Sequence, residues 1–255
     1  MHEQEIRVPT PDGTMTTFVA HPDGEGPFPV AILYMDGIGY REQIKENARR
    51  FAEGGFYCVA PDLFYRSGEK LSFDMAKLHA EQFDGPESDR LKSVMAEVTP
   101  DRVTADTEAI FDAISGDEAA RGGARVCVGY CMGARLALRV SSVFADDFVA
   151  AAGIHPGALV TDKEDSPHHD LAGVSGELYF AFAENDHSAT PEVVARFREE
   201  LQRNGVKGTV ERLPGTAHGF AMADLPVYDR DATELHFART LELWRRNLSP
   251  ERVGV

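Results

Sequence analysis

Cysteine is scarce in this chain of 255 residues, which has three, Cys58, Cys127 and Cys131. An odd number without metal-ligand spacing excludes a disulfide framework and supplies no metal pattern. Cys58 and Cys127 fall inside apolar strand patterns and read as inert core residues. Positive charge is also short: 26 Lys and Arg stand against 42 Asp and Glu, for a net charge of −16. That balance argues against nucleic acid or an anionic membrane surface as a partner. No apolar run reaches the roughly 18 residues that span a bilayer. The first ten residues, MHEQEIRVPT, contain no apolar h-region, so no secretory leader is expected and a reducing cytoplasm is the expected compartment. Internal repeats, low-complexity tracts and linkers are absent too, which leaves one α/β domain over residues 1–255.

Hydrophobic residues make up 43% of the chain, enough for a sizeable core. Glu5 to Pro9 and Thr16 to His21 flank an Asp12-Gly13 turn and read as a hairpin of outer strands. Val30 to Met35 is continuously apolar, as a strand buried on both faces should be. Ile44, Ala48, Phe51 and Ala52 share a helical face that Gly54-Gly55 ends, and Phe56 to Ala60 is the next strand. Helices are expected near Phe73 to His79, near Ser88 to Val98 and from Asp101 to Ile114. Further strands are expected at Val126 to Val128, Phe148 to Ile154, Leu178 to Ala183 and Thr209 to Arg212. Between the last two, Thr190 caps a helix that begins with Pro191. A loop is expected over Leu213 to Ala223, and a final helix from Ala232 to Asn247 burying Leu235, Ala238 and Leu241. Alternating strands and helices predict an eight-stranded, mostly parallel sheet with helices on both faces, whose ligands collect at the carboxyl ends of the strands.

The most informative stretch follows the fifth strand. Gly129, Tyr130, Cys131, Met132 and Gly133 form a G-x-C-x-G turn between an apolar strand and a run of small helical residues. This is the context of a nucleophile elbow, whose tight turn tolerates no bulk on either side. A thiol there sits over a helix N-terminus, whose partial positive charge favours thiolate. Beyond the seventh strand lies Glu184-Asn185-Asp186-His187, and beyond the eighth lies Gly215 to Phe220 with His218. Nucleophile, acid and histidine in that chain order match the α/β-hydrolase triad. A thiol needs a base, and the base needs a carboxylate to hold its tautomer, so Cys131, His218 and Asp186 fit these roles. Glu184 is the rival acid, and His187 is read as structural.

These residues resemble the dienelactone hydrolase family, the cysteine-nucleophile members of the α/β-hydrolase fold. The likeness rests on Val30 to Gly39, Gly55 to Arg66, Val126 to Gly133, Asp186-His187 with Thr190-Pro191, and Ala217 to Phe220. It implies the triad above, hydrolysis of a small ester or lactone, no cofactor and no metal. It also implies an oxyanion hole from the backbone N–H groups of Met132 and Gly37. Members of the family place a glutamate after the third strand that accepts the thiol proton. Here Asp36 stands there, either as a shorter substitute or as a turn residue. They also carry an arginine four residues after the histidine to bind a substrate carboxylate, where this chain has Met222. Arg90 matches a second arginine only loosely, with Val94 replacing a nearby aromatic, so neutral substrates are expected. Tyr34, Ile38, Phe64, Tyr65, Arg66, Arg90, His155, Phe220 and Met222 are the candidate pocket residues.

Three functions follow: a cysteine hydrolase of small esters or lactones, acting as a monomer or small homo-oligomer; a catalytically weak small-molecule-binding protein on the same fold; and a thiol redox protein. The last is disfavoured, because Cys127 on the strand is badly placed to resolve an oxidised Cys131.

Overall fold

The computed structural model describes residues 1–74, 77–78 and 84–248. Eight strands form one sheet: β1 (His2–Thr10), β2 (Gly13–His21), β3 (Phe28–Tyr34), β4 (Tyr57–Pro61), β5 (Ala120–Tyr130), β6 (Phe148–Ile154), β7 (Glu177–Asn185) and β8 (Gly208–Ala217). Their spatial order is β1-β2-β4-β3-β5-β6-β7-β8. Only the hairpin β1-β2 and its junction with β4 are antiparallel, as the alternation of strands and helices requires. The helices are α1 (Glu42–Glu53), α2 (Pro86–Ala96), α3 (Pro100–Ile114), α4 (Met132–Val143), α5 (Pro191–Arg203) and α6 (Arg230–Asn247), with a 3-10 helix at Pro167–Gly173. The helix expected near Phe73 to His79 falls partly outside the described residues, which include 73, 74, 77 and 78 of that stretch.

Adjacent strand residues point to opposite faces, and this divides the helices. Tyr34 pairs in register with Gly129, and its hydroxyl reaches Thr107 of α3 at 2.8 Å. Tyr130, one residue further along β5, turns the other way and meets His236 of α6 edge-on at 5.7 Å. On that second face α1 and α6 pack through Phe51, which contacts Phe237 at 4.7 Å and Trp244 at 4.6 Å. The first face carries α3 and α4, joined through Phe111, Phe144 and Phe148. The carboxyl-terminal halves of the central strands, Val30 to Tyr34 of β3 and Val126 to Tyr130 of β5, are buried, which explains their apolar runs.

Three sequence expectations change. The buried side of α6 is Thr233, His236, Phe237, Thr240, Leu243, Trp244 and Asn247; Leu235 and Ala238 face outward and Leu241 is half-buried. Large rings at Phe237 and Trp244 complete the Phe51 cluster, and that contact sets the helix's rotation. β8 runs on to Ala217 rather than stopping at Arg212, because a register shift on β7 lets Ala217 pair with Asn185. β5 begins at Ala120, extending toward the bottom of β3 through exposed Gly122 and Gly123.

Candidate active site

The turn after β5 is as crowded as its glycines suggest. A Cβ on Gly129 would lie 1.9 Å from the Gly133 carbonyl oxygen, and one on Gly133 would lie 2.2 Å from the Tyr34 carbonyl oxygen. Between them Cys131 takes φ 51° and ψ −109°, a conformation that side chains other than glycine adopt only at a cost. Its N–H donates to the Ile154 carbonyl at 3.0 Å, fixing the apex to the end of β6. The thiol thus stands at the head of α4, where Met132 is the first helical residue.

Two other strand ends bring their residues to this point. His218 follows β8, and its Nε2 lies 3.0 Å from Cys131 Sγ. Asp186 follows β7, and its Oδ2 lies 2.6 Å from His218 Nδ1. The other oxygen of Asp186 accepts from Ser188 N at 2.8 Å and Ser188 Oγ at 2.7 Å. Burial opposes charge on Asp186, but the contacts with His218 and Ser188 outweigh it and lower its pKa to about 2. Burial likewise pushes His218 down, and the Asp186 carboxylate together with Cys131 overrides it, raising the ring to about 10. Glu184 turns away, accepting from Gly215 N at 2.8 Å beside Arg212, and the His187 side chain is fully exposed.

Neither Gly37 N–H nor Met132 N–H has a partner among the described residues. The first turn of a helix leaves such donors free, and a Cβ on Gly37 would come within 2.8 Å of Met95 Cε, so the loop after β3 is closely covered from α2.

Asp36 departs from the role of thiol-proton acceptor. Its Oδ1 accepts from Ile38 N at 3.0 Å and Arg41 Nη1 at 2.7 Å, and its Oδ2 from Arg41 Nη2 at 2.9 Å. A carboxylate so committed closes the turn and pairs with Arg41; no contact with Cys131 is formed among the described residues.

The expected pocket residues scatter. Ile38 is half-buried in the loop after β3. His155 is buried, with its ring 5.3 Å from that of His218 and edge-on to it, and Phe220 lies 5.4 Å behind it. Both His155 ring nitrogens lack a hydrogen-bond partner among the described residues. Tyr34 is core, held by Thr107. Phe64 is buried beneath Gly39 and against Phe73. Tyr65 and Arg66 are tied to Asp106 of α3, the arginine through two bonds of 2.8 Å; Arg66 also reaches Asp12 in the hairpin turn. Arg90 pairs with Glu87 and stacks over Phe73. Met222 is fully buried, its Sδ 3.8 Å from Asn47 Nδ2. Tyr34, Tyr65, Arg66, Arg90 and Met222 therefore serve packing or ion pairs; Arg90 pairs with Glu87 three residues away, and the other four find a hydrogen-bond partner distant in sequence.

Two contributors were not foreseen. Ser188 is detectable as an Asp-x-Ser turn after β7. Gly157 is another: a Cβ there would stand 3.6 Å from both Cys131 Sγ and His218 Cε1. A cavity of about 630 Å3 lies apart from these residues: it is lined in part by Val98, Arg135, Leu136, Arg139 and Ala158, and Cys131, His218 and Asp186 are not in its lining. Arg139 in it is paired with Asp101 and Asp170.

The Dienelactone hydrolase family model matches residues 15–248. The chain is 26% identical over 249 residues to a candidate carboxymethylenebutenolidase of Escherichia coli, covering 94% of this chain and 85% of the relative. It is 24% identical over 216 residues to carboxymethylenebutenolidase 1 of Cupriavidus pinatubonensis, covering 84% and 85%. Among solved structures, a candidate dienelactone hydrolase from Klebsiella pneumoniae matches with a TM-score of 0.83 at 19% identity, over 96% of this chain and 98% of that one. A dienelactone hydrolase-like promiscuous phosphotriesterase from metagenomic libraries matches with a TM-score of 0.73 at 20% identity, over 97% and 99%. At such identities the structures speak to the fold alone, and the fold is that of the α/β-hydrolases.

Proposed function

Because the chain belongs to the dienelactone hydrolase family, we propose that it hydrolyses small carboxylic esters or lactones through a Cys131, His218 and Asp186 triad. The observation that carries this reading is the chain of contacts from Cys131 Sγ to His218 Nε2 at 3.0 Å and from His218 Nδ1 to Asp186 Oδ2 at 2.6 Å. Asp186 holds the ring with Nε2 toward sulfur and favours the imidazolium, so the ring carries the proton that the thiol gives up. The sulfur attacks the carbonyl carbon and the C=O electrons move to oxygen. Met132 and Gly37 N–H groups are the donors for that oxyanion. As the tetrahedral adduct collapses, His218 returns its proton to the departing alkoxide, leaving an acyl thioester on Cys131. Water then attacks the thioester with His218 as base, and the acid leaves as the thiol reforms.

The test is hydrolysis of p-nitrophenyl acetate before and after iodoacetamide treatment, with intact-mass detection of acetylated protein during turnover. Thiol-sensitive turnover and an acetyl adduct at Cys131 are expected. Turnover that survives complete alkylation of Cys131 would remove the mechanism, and absence of turnover would favour a binding protein on the same fold.

A further inference from the structure

Arg41 stands at the head of α1 in extended conformation, with its side chain 18% exposed. Its Nη1 donates to Asp36 Oδ1 at 2.7 Å and to the Gly39 carbonyl at 3.1 Å. Its Nη2 donates to Asp36 Oδ2 at 2.9 Å and to Asp224 Oδ1 at 3.1 Å. Its Nε donates to Asp224 Oδ2 at 2.6 Å. A guanidinium has five N–H donors, and here each has an acceptor. Nothing is left over for a substrate carboxylate, so a clamp role is excluded by counting.

The acceptors belong to two different loops. Asp36 and Gly39 flank Gly37 in the loop after β3, while Asp224 lies six residues beyond His218 in the segment between β8 and α6. We propose that Arg41 is a positioning residue, which sets the Gly37 N–H against the thiol by tying its loop to the segment that carries His218. This rests on the proposed esterase reading, since it gives Gly37 an oxyanion to face. Two bidentate pairs on one planar group define both distance and orientation, which a lysine ammonium cannot reproduce.

The experiment compares Arg41→Gln, Arg41→Lys and Asp224→Asn with the parent protein. It reads kcat and KM on p-nitrophenyl acetate, the rate of Cys131 alkylation by iodoacetamide, and thermal stability. Alkylation is a displacement at carbon that forms no oxyanion, so it reports the Cys131–His218 pair without the Gly37 donor. Removal of one oxyanion donor costs on the order of 10² to 10³ in kcat, and a displaced one should cost about tenfold. The expected result is a fall of about tenfold in kcat in both Arg41 variants, KM within about twofold and alkylation unchanged. Asp224→Asn should cost less, and should add little in the Arg41→Gln background. Unchanged kcat, or kcat and alkylation falling together, overturns the proposal, and so does full rescue by Arg41→Lys. If an Arg41 variant does not fold, Asp224→Asn decides, because Asp224 is 37% exposed. Parent protein that alkylates but shows no turnover defeats the esterase reading instead.

Discussion

The Asp186 carboxylate is divided between two partners, with one oxygen on His218 Nδ1 at 2.6 Å and the other on the Ser188 N–H and hydroxyl. Ser188 locks the carboxylate's rotation, and the locked carboxylate in turn orients the imidazole toward Cys131. The effect of each substitution around the thiol follows from this order of dependence.

The acid should therefore be identifiable by difference. Asp186→Asn is expected to lower kcat by as much as about 10⁴-fold, since the histidine loses its tautomer partner. Glu184→Gln should lower it only slightly, because Glu184 serves Gly215 and Arg212. Steady-state kinetics of the two variants settle the assignment; a larger loss at Glu184 reverses it.

Removing the sulfur should abolish turnover without unfolding the protein. Cys131 is only half-buried, so Cys131→Ala leaves little cavity and should keep its circular dichroism spectrum. Cys131→Ser should be far slower than the parent, as a site arranged for a thiolate deprotonates an alcohol poorly. Near-parental turnover by the alanine variant is the result that defeats the triad.

Stability should fall with rising pH in a window set by His218. Its pKa is raised to about 10 in the folded protein, against about 6.5 in an unfolded chain. A group raised on folding contributes fully below the unfolded value and loses its contribution as pH climbs to the folded one. Melting temperatures between pH 6 and 10 should decline more in the parent than in His218→Asn. For Asp186, lowered to about 2, the sign is opposite: its contribution is present above about pH 4 and is lost as pH falls through 2. Parallel melting curves for parent and His218→Asn would contradict the first of these assignments.

Substrate charge offers a fourth test. The resemblance to the family implies a carboxylate-binding arginine where this chain has Met222, Arg66 and Arg90 are both paired, and the chain carries −16. Neutral esters should have higher kcat/KM than matched carboxylate-bearing ones. A preference for the anion would overturn this reading of the pocket. Met222→Arg should lower the melting temperature rather than install a clamp, since it puts a charge where Met222 is fully buried beside Asn47.

Much of this site could be read before any coordinates, because it is made of strand ends. Chain order and the glycines around Cys131 are local properties, and they single out Cys131, Asp186 and His218, which the fold brings into contact. The face of α6 could not be read so directly: Leu235 is the apolar residue by composition, yet His236 and Thr240 are the ones buried. Asp36 illustrates the same limit. Whether its carboxylate serves the thiol or a turn depends on Arg41 and Asp224, and Asp224 reaches Arg41 across 183 residues. Tyr65 and Arg66 sit in a family-like stretch, but Asp106, about 40 residues on, decides where they point.

At φ 51° the main chain at position 131 has a shape that glycine adopts freely and alanine does not. The variants Cys131→Gly and Cys131→Ala, both expected to be inactive, should therefore differ in a way that has nothing to do with chemistry. Glycine relieves the strain, on the order of 1 to 3 kcal/mol for such a conformation, whereas alanine retains it. Folding alone would thus choose a glycine at the reactive position, and the thiol is held there against the preference of its own backbone.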